Sequence, residues 1–297
     1  MTFTIAAAQY PIEALADWAA YEAKLARWVA DAAAGGAALA VFPEYGSMEL
    51  ASLDPATMGD LAGSMAFVAS LMPRVDVLHA ELAGRHGLHI LAASAPTRRA
   101  DGSFVNRARL FTPGGKMGVQ DKLVMTRFER EQWKVSAGGP LRLFETSLGR
   151  ISITICYDAE FPLLARALAE AGMELLLVPS CTDALHGYWR VRIGAQARAL
   201  EGQCYAVQAP TVGSAPWSPA VDENRGAAAI YGPPDGAFPA DGVVAIGTMD
   251  AAGWVFGEVD LSRVVALRAN GGVLNTRHWA EQPGAGALSP VEVIDLR

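Results

Sequence analysis

The chain of 297 residues is 52% hydrophobic with a formal net charge of −7, enough apolar material for a substantial core and too little polar bias for disorder. The acidic balance, without a run of clustered lysine or arginine, argues against a nucleic-acid or anionic-membrane surface and leaves a small molecule as the default partner. The opening MTFTIAAAQYPIEAL lacks a charged region ahead of an apolar core, and no later apolar run reads as long enough to span a bilayer; three sparse cysteines suit a reducing compartment, so a soluble cytoplasmic protein is expected.

Thr2 to Gln9 reads as an apolar strand closed by Tyr10-Pro11. Glu13 to Ala34 carries Leu15, Trp18, Leu25, Trp28 and Val29 on one stripe and stops at Gly35-Gly36, the pattern of an amphipathic helix. Ala37 to Phe42 is a buried strand, and Pro43 leaves Glu44 at its tip. A second helical region covers about Pro55 to His86, followed by the strand Leu88 to Pro96. Phe104 to Thr112 and Lys116 to Asp121 flank Pro113-Gly114-Gly115 as a hairpin, which places Lys122 just past its second strand. Glu129, Glu131 and Trp133 then occupy a loop or short helix before the strand Leu141 to Glu145.

Arg150 to Leu164 is the stretch around which the chain is organised. Ile151, Ile153 and Ile155 alternate with Ser152, Thr154 and Cys156, so a buried strand delivers a thiol at its end. Pro162 opens a helical segment that Gly172 stops, which sets Cys156 in a strand-to-helix turn. Such a turn exposes a nucleophile near backbone N–H donors. The strand Glu174 to Pro179 ends in Ser180-Cys181-Thr182-Asp183. Tyr188 to Glu201 reads as a helix with Trp189, Ile193, Ala197 and Leu200 inward and its arginines outward. Gln203 to Ala209, Gly226 to Ile230, Val243 to Thr248 and Trp254 to Asp260 supply further strands, and the stretch from about residue 268 reads as an extended arm. Cys181 and Cys204 read as structural, with Cys181 able to line a pocket. Without a short repeat or a polar linker, residues 1–297 are expected to form a single domain.

Glu44, Lys122 and Cys156 each sit where a strand stops, and ligand sites in α/β folds assemble at strand ends. The runs VFPEYG, DKLVMTRFEREQW and CYDAEFP, in that order, resemble the Glu-Lys-Cys blocks of the nitrilase superfamily of carbon–nitrogen hydrolases. AAAQYP, ELLLVPS and RALEGQCYAVQAPTVG look like further blocks of the same family, so the resemblance covers nearly the whole chain. It implies an α/β fold of four layers, an α-β-β-α sandwich, assembled as a homodimer or larger homo-oligomer. It implies catalysis by Glu44, Lys122 and Cys156, with Glu129 as a second acid and Glu131 as its rival. No cofactor is implied, and the histidines show no metal-ligand spacing.

The chemistry gives a separate reason for those residue types. Amide hydrolysis needs a nucleophile, a proton carrier and positive charge where the tetrahedral oxygen forms. Cys156 can attack, Glu44 can shuttle the proton, and Lys122 with the Tyr157 backbone N–H can hold the oxyanion. A nearby ammonium should favour the thiolate, while burial and two carboxylates push one acid toward its protonated form. Asp158 reads as a helix cap or a local hydrogen-bond acceptor. Tyr157-Asp158 after the nucleophile is similar to the amidase-type branches, so a small-molecule amide is expected. A carbamoyl or nitrile substrate, acyl transfer to an amine, or a catalytically silent scaffold with the same fold are the alternatives. Glu160 and Asp183 would favour a neutral or cationic amide by charge complementarity.

Overall fold

The computed structural model describes residues 1–283, 286 and 290–297. Strand β1 (Thr2–Pro11) shows how the layers arise, because its alternating side chains enter two different cores: Ile5 and Ala7 one, Ala6, Ala8 and Tyr10 the other. Helix α1 (Trp18–Ala34) starts later than the periodicity suggests because Asp17 caps it, its carboxylate taking the Ala20 N–H at 2.8 Å. After β2 (Ala37–Val41) comes a 3₁₀ helix, Gly46–Leu53, and then α2 (Leu61–His86). The region expected to be helical from Pro55 therefore begins at Leu61, where Asp60 caps the N-terminus.

Helix α2 also corrects the expectation about apolar runs. It holds an 18-residue window of mean hydropathy 1.4, apolar and long enough by itself to cross a membrane. In the fold its Met65, Val68, Met72, Val75 and Leu82 are buried in the outer core beside β3 (His89–Arg98).

The hairpin forms as β4 (Phe104–Phe111) and β5 (Met117–Asp121), antiparallel with Leu110 opposite Gly118. The rest of the chain adds β6 (Leu141–Thr146), β7 (Gly149–Ile153), α3 (Pro162–Glu170), β8 (Leu175–Ser180), α4 (Leu185–Gly202) and β9 (Tyr205–Ser214). It finishes with β10 (Glu223–Asn224), β11 (Ala229–Tyr231), β12 (Val243–Ile246), β13 (Gly253–Asp260), α5 (Leu261–Asn270), α6 (Asn275–His278) and β14 (Val291–Asp295).

Pairing arranges these strands as two sheets, β13-β1-β2-β3-β4-β5 and β14-β6-β7-β8-β9-β11-β12. They join where Tyr10 and Pro11 of β1 pair in parallel with Thr211 and Val212 of β9. Between them lies a shared core that contains Ile5, Val41, Leu91 and Leu110 of the first sheet with Leu143, Ile151 and Ile153 of the second. Helices α1 and α2 cover the first sheet and α3 and α4 the second, so the architecture is the four-layer α-β-β-α sandwich. A buried polar tie links the first pair of layers. Lys24 of α1 reaches Glu49 of the 3₁₀ helix at 2.6 Å, and the Tyr10 hydroxyl reaches the other Glu49 oxygen at 2.5 Å.

Helix α4 is turned relative to its expected face. Trp189 and Ile193 are 46% and 62% exposed and Leu200 also faces out, while Tyr188, Val191, Ala195, Arg198 and Ala199 are buried. Small residues stand among the large ones on the packed face, where α4 lies directly on the turn that carries Cys156. A Cβ on Gly194 would stand 2.9 Å from the Ala159 carbonyl oxygen, and Arg198 donates to that oxygen at 2.9 Å. The stretch from about 268, expected as an arm, holds the end of α5, then α6, then β14, which runs parallel to β6 at the sheet edge. Residues 284, 285 and 287–289 of that stretch lie outside the described residues.

Candidate active site

Four strand ends converge on one buried cluster. Glu44 follows β2, Lys122 follows β5, Cys156 follows β7 by three residues, and Cys181 follows β8. Lys122, 1% exposed, places its ammonium 2.7 Å from Glu44 Oε1 and 2.7 Å from Glu129 Oε2. Glu131 points away and pairs with Arg127 at the surface, so Glu129 is the second carboxylate at Lys122. Glu44 is held at two more points: Asn106 Nδ2 donates to Oε1 at 2.9 Å, and the Cys181 N–H donates to Oε2 at 3.0 Å. Glu129 accepts the Tyr45 hydroxyl at 2.9 Å and both the N–H and the hydroxyl of Thr126 at 2.9 Å.

These surroundings drive the two acids apart. Burial raises the Glu44 carboxyl, and Lys122 opposes that only in part. Burial also acts on Glu129, but Lys122 and Thr126 outweigh it and hold its carboxyl below the usual range. Lys122 in turn is lifted well above a normal lysine, because the attraction of Glu44 and Glu129 exceeds the desolvation that would lower it. Glu129 is thus the fixed counter-ion, and Glu44 is the acid placed to gain and lose a proton.

Cys156 occupies a 3₁₀ turn, Cys156–Glu160, with φ of 49°. Tyr45, next to Glu44, has φ of 51°, so two residues that carry a Cβ adopt the left-handed conformation at this cluster. The sulfur lies 3.9 Å from the Cys181 carbonyl oxygen. One expectation is corrected here. Burial, reinforced by Glu44, raises the Cys156 thiol well above its ordinary range, and Lys122 does not offset this. These surroundings favour the thiol form, so a base is needed to free the sulfur for attack.

Asp158 reaches further than a local cap. Its carboxylate accepts N–H bonds from Leu123 at 3.1 Å, Val124 at 2.8 Å and Ile155 at 3.3 Å, binding the Lys122 loop to the Cys156 turn. Burial pushes its carboxyl up to about 7 against the pull of Lys122 and those donors.

A cavity of about 500 Å³ opens onto the cluster, lined by Glu44, Lys122, Glu129, Cys156 and Cys181 at its base. Tyr157, Glu160 and Asp183 also line it. Glu160 is not a free charge, because Arg190 of α4 pairs with it at 3.4 Å. Among the described residues no group of three His, Cys, Asp or Glu side chains is assembled as a metal would require.

Sequence reasoning passed over Asn106, Tyr45 and Arg190. Asn106 carried a signal, an amide in the interior of a strand, where Asn is disfavoured unless it has a task. Tyr45 lay inside the VFPEYG run, and Arg190, outward as the sequence reading has it, still reaches Glu160 at the cavity.

The sequence matches the carbon-nitrogen hydrolase family over residues 4–269. It is 36% identical over 234 residues to the probable hydrolase YhcX of Bacillus subtilis, covering 79% of this chain and 45% of that protein. It is 31% identical over 146 residues to the deaminated glutathione amidase of Yersinia enterocolitica, covering 45% of this chain and 50% of that one. The matches thus span about half the length of these curated relatives. Among solved structures, Saccharomyces cerevisiae Nit3, a member of branch 10 of the nitrilase superfamily, superposes with a TM-score of 0.70 at 18% identity, over 90% of this chain and 93% of the other. An amidase from Nesterenkonia sp. gives 0.66 at 21% identity over 90% and 94%. The chain belongs to the carbon-nitrogen hydrolase family.

Proposed function

We propose that this protein hydrolyses a non-peptide C–N bond of a small amide through an acyl-enzyme on Cys156. The observation that carries this reading is the ammonium of Lys122 standing 2.7 Å from both Glu44 and Glu129 at the base of the cavity that Cys156 lines. The names of the curated relatives, a hydrolase and an amidase, point the same way.

The Cys156 proton passes to Glu44 as sulfur attacks the amide carbon, and the carbonyl oxygen becomes an oxyanion facing Lys122 and the Tyr157 N–H. Collapse breaks the C–N bond, and Glu44 returns the proton to the departing nitrogen, which leaves as ammonia or an amine. Glu44 then takes a proton from water as its oxygen attacks the thioester. The second collapse releases the carboxylic acid and returns the proton to sulfur. Glu129 keeps Lys122 cationic and fixed throughout. An amine in place of that water would make the same intermediate an acyl donor. Cys156→Ala should abolish ammonia release from an amide panel while the melting temperature stays near wild type; undiminished turnover would refute the mechanism. Intact-mass detection of the acyl adduct on the wild type is the matching positive readout.

The outward stripe of α4, Trp189, Ile193 and Leu200, supports a homodimer in which two copies bury that face. Ile193→Glu should shift the mass in solution toward a single chain, and an unchanged mass would exclude that face. Three cysteines without a disulfide suit the cytoplasm as its compartment.

A further inference from the structure

The mouth of the active-site cavity has a charge balance that its base does not explain. Beyond Glu44, Lys122 and Glu129, the lining carries Glu160, Asp183, Asp222 and Glu223 against Arg127 and Arg190, four carboxylates against two guanidinium groups. Both guanidinium groups are engaged. Arg190 pairs with Glu160 at 3.4 Å, and Arg127 pairs with Glu131 at 2.8 Å. Among the described residues no lysine or arginine forms an ion pair with Asp183, Asp222 or Glu223. Arg225, the cation next along the chain, is held by Asp250 at 2.7 Å. The remaining contacts of these acids are local: Asp222 Oδ1 takes the Glu223 N–H at 3.0 Å, and Glu223 Oε1 takes the Ser214 hydroxyl at 3.4 Å.

The same lining includes the apolar side chains of Phe128, Val191, Pro219 and Ala220. A ligand whose reacting carbonyl sits at Cys156 therefore shares the cavity with apolar surface and with carboxylates that no cation pairs among the described residues.

We infer that the substrate is a cationic amide, in which a short apolar spacer separates the reacting carbonyl from an ammonium or guanidinium group that Asp183, Asp222 and Glu223 receive. The inference rests on the hydrolytic reading for the word amide, but the charge preference of the cavity is a property of its own. Of Glu160 and Asp183, the two acids that sequence alone pointed to, Glu160 contributes less because Arg190 pairs with it. The three acids are solvent-exposed, so their effect acts over several ångströms and is screened by salt.

The test compares γ-aminobutyramide, butyramide and succinamate, which share the reacting amide and differ in the charge of the far end. At low ionic strength wild-type kcat/KM should favour the cationic over the anionic amide by about tenfold or more. The triple variant Asp183→Asn, Asp222→Asn, Glu223→Gln should reduce the cationic-to-neutral ratio by about fivefold or more, chiefly through KM. A preference for succinamate, or a ratio unchanged in the variant, would overturn the inference. A second measurement does not need turnover. The rates at which bromoethylamine and iodoacetate alkylate Cys156 are measured in wild type and variant, so that the intrinsic reactivity of each reagent cancels. Selective slowing of the cationic reagent in the variant supports the acidic mouth even if no amide is hydrolysed, a result that would refute the hydrolytic reading alone. Equal slowing of both reagents, or none, counts against the acidic mouth.

Discussion

Asp158 accepts the Val124 N–H at 2.8 Å and so joins the residue two places after Cys156 to the residue two places after Lys122. Through Leu123 and Ile155 the same carboxylate also holds the immediate neighbours of the lysine and of the nucleophile. One side chain thus ties the loop that carries the ammonium to the turn that carries the sulfur through backbone N–H groups alone. Asp158→Asn replaces one acceptor oxygen by a donor facing backbone N–H groups. The expected loss is about 2 kcal/mol of stability, with kcat reduced roughly tenfold to a hundredfold and KM little altered. Thermal unfolding and steady-state kinetics on the folded variant measure both, and wild-type kcat would show that the tie does not set the geometry.

The same carboxyl gives a dependence of stability on pH whose sign differs from that of a salt-bridged acid. Its value of about 7 in the fold lies above the ordinary aspartate range of about 4 in the unfolded chain. The folded state therefore binds the proton more tightly, and this contribution is fully present below about pH 4 and lost as pH rises through about 7. Its size is on the order of a few kcal/mol. His79, lowered to about 4 by burial, acts in the opposite direction over part of that range. Denaturant unfolding of wild type and Asp158→Asn from pH 4 to 8 isolates the aspartate, because the wild type alone should carry its downward slope.

Glu44 and Cys156 predict a distinct profile for chemistry at the sulfur. Burial raises both groups, so at neutral pH a thiol faces a carboxyl poised above the usual acid range. Alkylation of wild-type Cys156 by iodoacetamide should rise with pH as Glu44 ionises. In Glu44→Gln the rise that follows ionisation of Glu44 should be absent, any remaining rise should follow ionisation of the thiol itself, and amide turnover should fall about 10²- to 10⁴-fold. Identical alkylation profiles for the two proteins would remove Glu44 as the base.

Lys24 offers a contrast away from the sulfur. It is buried against Glu49 at 2.6 Å, and Lys24→Met leaves that carboxylate without its cation. A loss of about 3–5 kcal/mol is expected, partly recovered in Lys24→Met, Glu49→Gln. Activity per folded molecule should persist in both, and chemical denaturation with active-site titration would show whether it does.

Glu44, Lys122 and Cys156 were legible because each stood at a strand end and inside a run that resembled a family block. Glu129 was legible from the block alone, and its spacing from Lys122 along the chain became a 2.7 Å contact. What escaped was whatever depended on packing between distant segments. The stripe of Trp189 and Ile193 read as the inner face of α4 because large apolar residues recur at helical spacing. The true inner face carries Tyr188, Val191, Ala195 and Ala199, with Gly194 allowing the close approach to the Cys156 turn. Arg198 was read as outward for the same reason, although it is buried and donates to the Ala159 carbonyl oxygen at 2.9 Å. The protonation of Cys156 escaped too, because burial outweighs Lys122 and burial is not written in local sequence.

The contributors divide between the two sheets: Glu44, Asn106 and Lys122 belong to the first, Cys156 and Cys181 to the second. A partly folded molecule with one sheet complete owns either the proton carrier or the sulfur, never the pair. Reactivity would therefore emerge late in maturation, and its return during refolding times the final docking of the halves.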